Sequence, residues 1–371
     1  MIIYFVYLGT FCLCSFFDFK SDKYLRQFCI FSMFFFSIIF IGLRFHTGSD
    51  WYGYIRYYNS VDWDNNKYGI GYQILNIFCK SLFDDYYAVQ FFASLFFIYS
   101  VFHFYLKNTH YPILGIIISI SLYFNDIYMS QVRQSIAIGI ILLFSDFIFQ
   151  RKFLPFLFGV ILGISFHITA IIALPIYFFR IKTPKTMKIC GVIFGLLCIL
   201  KKSIPISLLI LGAKFLPGIY GNLVIKYITN PMFLHGSTGG SYFFAKLLLG
   251  LLIILFLNPN TEEDQVYLNC LVFSSILSSF SLAFSLFRRI EFYFGFFTII
   301  AYLKVLNLNF FKEKYFKMLA FLLLMFFFII PYTKNRLAKP TPMNDAPKRY
   351  VPYYNYLNYP NGAQYRKDWC E

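Results

Sequence analysis

Charge is scarce in this chain. Only 13% of its 371 residues are Asp, Glu, Lys or Arg, against 59% hydrophobic, whereas a soluble domain carries about 25% charged residues. The shortage excludes an ordinary water-soluble globule, and a mean hydropathy of +0.62 agrees. Metal-ligand spacing is missing too. The eight cysteines, at 12, 14, 29, 79, 190, 198, 270 and 370, fall mostly inside apolar runs. Cys12 and Cys14 are too close for an ordinary disulfide, so the pattern reads as packing, with no metal or redox site and no cofactor. The opening run MIIYFVYLGTFCLCSFF lacks a basic n-region and a clear small-x-small cleavage site, which makes it a retained first helix rather than a removed signal peptide. No internal repeat and no soluble catalytic domain are evident.

What the chain has is apolar length. Runs of roughly 15 to 20 residues, long enough to cross a bilayer core, recur at 2–17, 26–43, 86–106, 111–125, 133–149, 153–166, 168–180, 187–200, 242–257, 266–284, 290–306 and 315–332. The expected fold class is all-α, a polytopic integral membrane protein with about 11–12 transmembrane or half-membrane helices. Residues 1–332 form a single transmembrane domain with external loops 44–85 and 201–241. Each loop carries a helix expected to lie in the interface, KYGIGYQILNIFCKSLF in the first and ISLLILGAKFLPGIYGNLVIKYI in the second. Residues 333–371 are a tyrosine- and proline-rich external tail whose RYVPYYNYLNYP is too aromatic for disorder and is expected to fold back over the external face.

Net charge is +16, from 33 Lys+Arg against 17 Asp+Glu. Most basic residues lie at the ends of apolar runs, so the partners they imply are membrane lipids and phosphate-bearing ligands, not nucleic acid. Lys20, Lys23 and Arg26, then Arg151 and Lys152, then Arg180, Lys182, Lys185 and Lys188, then Lys312, Lys314 and Lys317 share one side if 153–166 and 168–180 are two short passes meeting at His167. That side is the cytoplasm by the positive-inside rule. One loop fits poorly: 258–265, NPNTEEDQ, falls in the cytoplasm without a basic residue.

Ionisable groups at membrane depth cost several kcal/mol and mark cavities or partners. Few occur here, and they gather on the external side: Arg44, Arg133, His167, and Arg288 with Arg289. Each has a plain alternative. Arg44 can anchor at the interface, Arg133 can pair with Asp126, His167 can cap a helix break, and Arg288 or Arg289 can pair with Glu291. Together they call for an anion, and the planar fork of arginine grips phosphate oxygens bidentately. The richest stretch is Ile41–Tyr58, IGLRFHTGSDWYGYIRYY, which adds Asp50, Trp51, Tyr52 and Tyr54.

Four stretches resemble one family. LRFHTGSDWYGYIRYY is similar to its arginine, Gly-x-Asp and tyrosine pattern; VRQSIAIGIILLF to its Arg-Gln-x-x-Ala helix start; FLFGVILGISFHITAIIALPIYFF to its paired short helices around Phe-His; and FRRIEFYF to its Arg-x-x-x-Tyr-Phe element. The family is the EpsG-like group of Wzy-type O-antigen and capsule polymerases. The resemblance implies a glycosyltransferase of the bacterial inner membrane, its site facing the periplasm, that joins polyprenyl-pyrophosphate-linked oligosaccharide repeat units. A lipid-linked donor and acceptor are its implied partners, with room for a chain-length regulator. The catalytic residues it implies are Asp50 as general base with His167 as second choice, and Arg44 and Arg133 on the pyrophosphate. Arg288 or Arg289, Gln134, Tyr293, Trp51, Tyr52 and Tyr54 would bind substrate, the aromatics by stacking on sugar. Ser135 stands where the family commonly has glycine. Other classes open to the residues are a flippase of lipid-linked glycans, a membrane O-acyltransferase and an O-antigen ligase.

Overall fold

Inside hydrocarbon a backbone must satisfy its own N–H and C=O groups, and a helix does so within one segment. The computed structural model follows that logic. It describes residues 2–19, 23–64, 67–215, 218, 222, 225–226, 240–308, 313–337 and 353–357. Five helical segments are long and apolar enough to cross a membrane: Lys23–Gly42, Tyr86–Asn108, Val132–Phe149, Leu286–Asn307 and Lys314–Thr333. Shorter apolar helices run over Ile2–Asp18, Pro112–Tyr128, Phe153–Phe166, Ile168–Arg180 and Gly240–Phe256, and Lys185–Leu200 with Ser203–Lys214 makes a pair bent by 107°. The chain is an all-α polytopic membrane protein. Its two described strands have two residues each: β1, Arg44–Phe45, pairs antiparallel with β2, Tyr354–Asn355, in the register Arg44↔Asn355.

In chain order the helices are α1 (Ile2–Ser15), α2 (Lys23–Ser37), α3 (Trp51–Asn59), α4 (Ile70–Phe83), α5 (Tyr86–Asn108), α6 (Pro112–Tyr123), α7 (Val132–Phe144), α8 (Asp146–Phe149), α9 (Phe153–Phe166), α10 (Lys185–Leu200), α11 (Ser203–Lys214), α12 (Gly240–Phe256), α13 (Glu262–Ser281), α14 (Leu286–Leu303) and α15 (Lys314–Leu337). Their ends follow local chemistry. Asp85 caps α5 by accepting from the Tyr87 N–H at 2.9 Å. Thr261 and Asp264 close a reciprocal capping box on α13, which satisfies donors the helix leaves open.

These elements divide into two compact units. The first comprises Met1–Phe147, Leu154–Ile171 and Lys317–Glu371; the second comprises Ile148–Phe153 and Ile172–Phe316.

In the second unit α13 packs along α14 and α10. The expected span 266–284 lies in α13, which is not one of the five long apolar helices. Three acidic residues fill its first turn, and Ser274, Ser275, Ser278, Ser279 and Ser281 stud the rest, all buried. Small hydroxyl residues let neighbours approach closely: a Cβ on Gly195 of α10 would stand 3.2 Å from Ser279 Oγ.

The expected break at His167 is present: α9 ends at Phe166 and a 3-10 helix runs over Ile168–Arg180. Pro175 inside it lacks an N–H and disfavours the α form. Ala170, Ala173 and Ile176 are fully buried while Ile168, Ile171 and Phe178 are exposed, a three-residue period that matches this tighter coil. A helix forms in each long loop, α4 and α11. Most of the second expected interfacial helix beyond residue 215 lies outside the described residues, as does tail 338–352. The described part of the tail does fold back: besides the β1–β2 pair, Tyr356 N–H donates to Leu43 O at 2.8 Å and the Tyr353 hydroxyl to Phe40 O at 2.6 Å.

Candidate functional site

The first unit builds its site from the loop between α2 and α3. Gly48 makes the turn with φ +109°, and a Cβ there would lie 2.4 Å from Met129 O, so only glycine fits. Ser49 N–H then donates to Ser130 Oγ at 3.1 Å, and Ser130 Oγ to Asn125 O at 2.7 Å. The loop is thereby fastened to the turn that starts α7, where Arg133 sits. His46 stacks between Phe45 (4.1 Å) and Trp51 (4.3 Å), and Phe45 on Tyr87 (4.9 Å).

Arg44 is buried under this loop, 2% exposed. Its Nε donates to Met129 O at 3.0 Å, and Nη1 donates to Ile41 O at 2.5 Å and Ser94 Oγ at 3.0 Å. Gln90 Nε2 holds the Gly42 and Arg44 carbonyls beside it. These contacts tie the end of α2, α5 and the α7 turn together. Arg44 is thus engaged by neutral protein acceptors.

Asp50 stands at the N-cap of α3 and accepts from Ser49 Oγ at 2.8 Å. One turn on, Tyr54 is buried. Burial pushes its hydroxyl pKa up; the Asp50 charge pushes the same way, and Arg133 opposes both. The phenol therefore feels the carboxylate and the guanidinium together. Arg133 is half-buried, with Nη1 donating to Tyr68 O at 3.1 Å and its guanidinium 4.3 Å from the Tyr68 ring and 5.9 Å from that of Tyr54. Its Nε is buried without a hydrogen-bond partner among the described residues. Tyr57 and Tyr72 complete the aromatic shelf, 4.7 Å and 6.4 Å from Tyr68 between ring centres. Sequence reasoning passed over Tyr68 and Tyr72; their i, i+4 spacing at the start of an amphipathic helix was the available signal.

The 67–71 turn that carries Tyr68 rests on the helix break. Gly69 has φ +93°, and a Cβ there would meet Ser165 O at 2.6 Å. Immediately beyond, His167 Nδ1 lies 2.6 Å from Thr169 Oγ1. The structure thus gathers Asp50, Tyr54, Arg133, Tyr68 and the His167 break into one region of the first unit, with Arg44 in the layer behind. Trp51 is half-buried on His46. Tyr52 is exposed, its hydroxyl accepting from Arg56 Nη2 at 2.8 Å. Gln134 is buried, 1% exposed.

Arg288, Arg289 and Tyr293 belong to the second unit. Arg288 is half-buried, 5.6 Å from the Phe292 ring centre, while Arg289 is exposed and Tyr293 is buried. Glu291 forms a buried ion pair with Lys246 at 3.3 Å and accepts from Ser274 Oγ at 2.6 Å. Among the described residues no group of three or more His, Cys, Asp or Glu could hold a metal ion.

Helices, membrane-length apolar segments and a basic, tyrosine-lined region define an all-α polytopic membrane protein. More particularly, the chain belongs to the EpsG family, whose profile matches residues 25–355. That match covers the site loop, both short helices around His167 and β2. Membership supports a polysaccharide polymerase-like role in general, with lipid-linked sugars as the coarse substrate class. No curated protein and no solved structure matches the chain.

Proposed function

We propose that the protein polymerises polyprenyl-pyrophosphate-linked oligosaccharide repeat units into O-antigen or capsule chains, by glycosyl transfer on the periplasmic face of the bacterial inner membrane. One observation carries this reading: Arg133, half-buried on a shelf of tyrosines, has a buried Nε without a partner among the described residues, and it faces the same phenol as Asp50. A guanidinium left with a spare donor suits a diphosphate, and a tyrosine shelf suits a sugar ring.

In the reaction, the bond between the donor's anomeric carbon and its pyrophosphate oxygen breaks. The electron pair leaves with the lipid pyrophosphate, and Arg133 stabilises that growing negative charge. The acceptor's hydroxyl oxygen bonds to the oxocarbenium-like carbon, and its proton passes to Asp50. His167 is the second candidate for that proton. Arg44 takes the role of a positioning residue, because its donors hold the loop that presents Asp50. Arg288, half-buried where Arg289 is exposed, is the one of the pair proposed to meet an anion.

The test is a gene deletion followed by gel analysis of surface polysaccharide. A polymerase mutant loses the ladder of long chains and keeps lipid core bearing a single repeat. An unchanged ladder sinks the proposal. Core without any repeat points instead to a flippase or ligase. Arg133→Ala and Asp50→Asn, at wild-type protein level, should each reproduce the deletion; normal ladders from both would remove the site assignment.

A further inference from the structure

A cavity of about 470 Å³ in the second unit is lined by Lys182, Lys185 and Lys188 at the start of α10, with Ile254, Leu257 and Leu268 as its apolar wall. Among the described residues no carboxylate lines it. Lys188 is buried, 4% exposed, and its Nζ donates to neutral acceptors, Thr183 O and Gln265 Oε1, both at 2.8 Å. Lys185 Nζ donates to Leu255 O at 2.6 Å, near the C-terminal end of α12, and lies 3.4 Å from Asn258 Oδ1. Nearby carboxylates are committed elsewhere: Glu262 pairs with Arg151, and Asp264 pairs with Lys304 at 2.5 Å. Glu263 is exposed and does not line the cavity.

Three ammonium groups without an anionic partner among the described residues, around one cavity, call for a polyanion or a phosphate. The walls narrow the choice. Leu252, Leu255 and Phe256 on α12 and Met187, Ile193 and Leu197 on α10 are exposed, so the helices below the lysines present hydrocarbon-facing surfaces. A basic mouth over apolar helix faces fits a phosphate that carries acyl chains. Basic pockets between membrane helices on the cytoplasmic side hold such headgroups, and the charge pattern assigns these lysines to that side. The acidic loop 258–265, which breaks the positive-inside pattern in sequence, here lies beside the 182–188 lysines in space.

We propose that this cavity is a binding site for the phosphodiester headgroup of an anionic phospholipid, whose chains run along the exposed faces of α10 and α12. Lys188 and Gln265 form its floor; Lys182 and Lys185 form its mouth. The proposal stands independently of the polymerase reading.

The test uses the purified full chain in detergent with equal amounts of phosphatidylglycerol and phosphatidylcholine, and counts retained lipids by native mass spectrometry. Wild type retains phosphatidylglycerol preferentially. Lys182→Gln with Lys185→Gln, both exposed positions, lowers phosphatidylglycerol affinity by about fivefold for each lysine removed and leaves phosphatidylcholine retention and thermal unfolding in phosphatidylcholine unchanged. Lys182→Arg with Lys185→Arg keeps the preference. Equal retention of the two lipids by wild type, an unchanged preference in the Gln double variant, or displacement of phosphatidylglycerol by inorganic phosphate alone would each overturn it.

Discussion

Arg44 and Arg133 look alike in the sequence, each an arginine at the edge of an apolar run, and the structure separates them. Arg44 gives its donors to Met129 O, Ile41 O and Ser94 Oγ, whereas Arg133 keeps Nε unmatched. Their alanine variants should therefore fail differently. Arg44→Ala leaves buried acceptors unpaired and should cost about 3 kcal/mol of stability, seen as a lower thermal midpoint in detergent and less protein in the membrane. Arg133→Ala should leave the midpoint near wild type and slow polymerisation by about 10²- to 10³-fold, the usual loss for one transition-state donor, read in a chain-extension assay with purified protein. Equal loss of stability in both would undo the distinction. A third residue gives a pH signature. Asp18, just past the first apolar run, accepts from Leu114 N–H at 3.0 Å and faces Arg26 at 3.4 Å. Burial pushes its carboxyl pKa up to about 7, with Leu114 N–H and Arg26 pulling it down. A raised folded-state pKa favours the protonated fold, so this contribution is complete below about pH 4 and is lost as pH rises to about 7. The thermal midpoint of wild type should fall over that window relative to Asp18→Asn, and parallel curves for the two would refute it.

At the scale of elements, the close approach of the 67–71 turn to the α9 break makes Gly69 sensitive. Gly69→Ala puts a Cβ against Ser165 O and forces a positive φ on alanine, at a cost of about 1–2 kcal/mol. It should move Tyr68 off Arg133 and shorten the polysaccharide ladder at matched protein level. A normal ladder would mean that the turn does not position the site. Elements are also where the sequence was most legible. Each of the twelve apolar runs coincides with helical structure, because a long, mostly apolar run leaves the backbone few other states in a membrane. The His167 break was readable from a polar pair between two apolar runs. That its second half is a 3-10 helix was not, since the three-residue burial period of Ala170, Ala173 and Ile176 emerges only once neighbours are in place.

For the whole molecule, the limit on legibility is sequence distance. Asp50 and Tyr54 share a turn of helix, so their association could be read directly. Arg133 reaches Tyr68 across 65 positions and Arg44 reaches Met129 across 85; no local pattern encodes such pairs. The roles proposed for Arg288 and Arg289 rest on family resemblance, and their substitution one at a time, with the ladder as readout, tells the half-buried arginine from the exposed one.

The pairing of β1 with β2 also bears on synthesis. Arg44 and Phe45 are made long before the strand that completes them, which begins at Tyr354. At about 5–20 residues per second, the ribosome needs about 15–60 s to supply it. For that interval the Arg44 loop waits with an open edge while the membrane helices insert around it. A chain released early would keep every helix through α15 and lack the last hydrogen bonds over Phe40, Leu43 and Asp85. Closure of the Arg44 loop by the 353–357 segment therefore comes after α15 has been made, late in the order of synthesis.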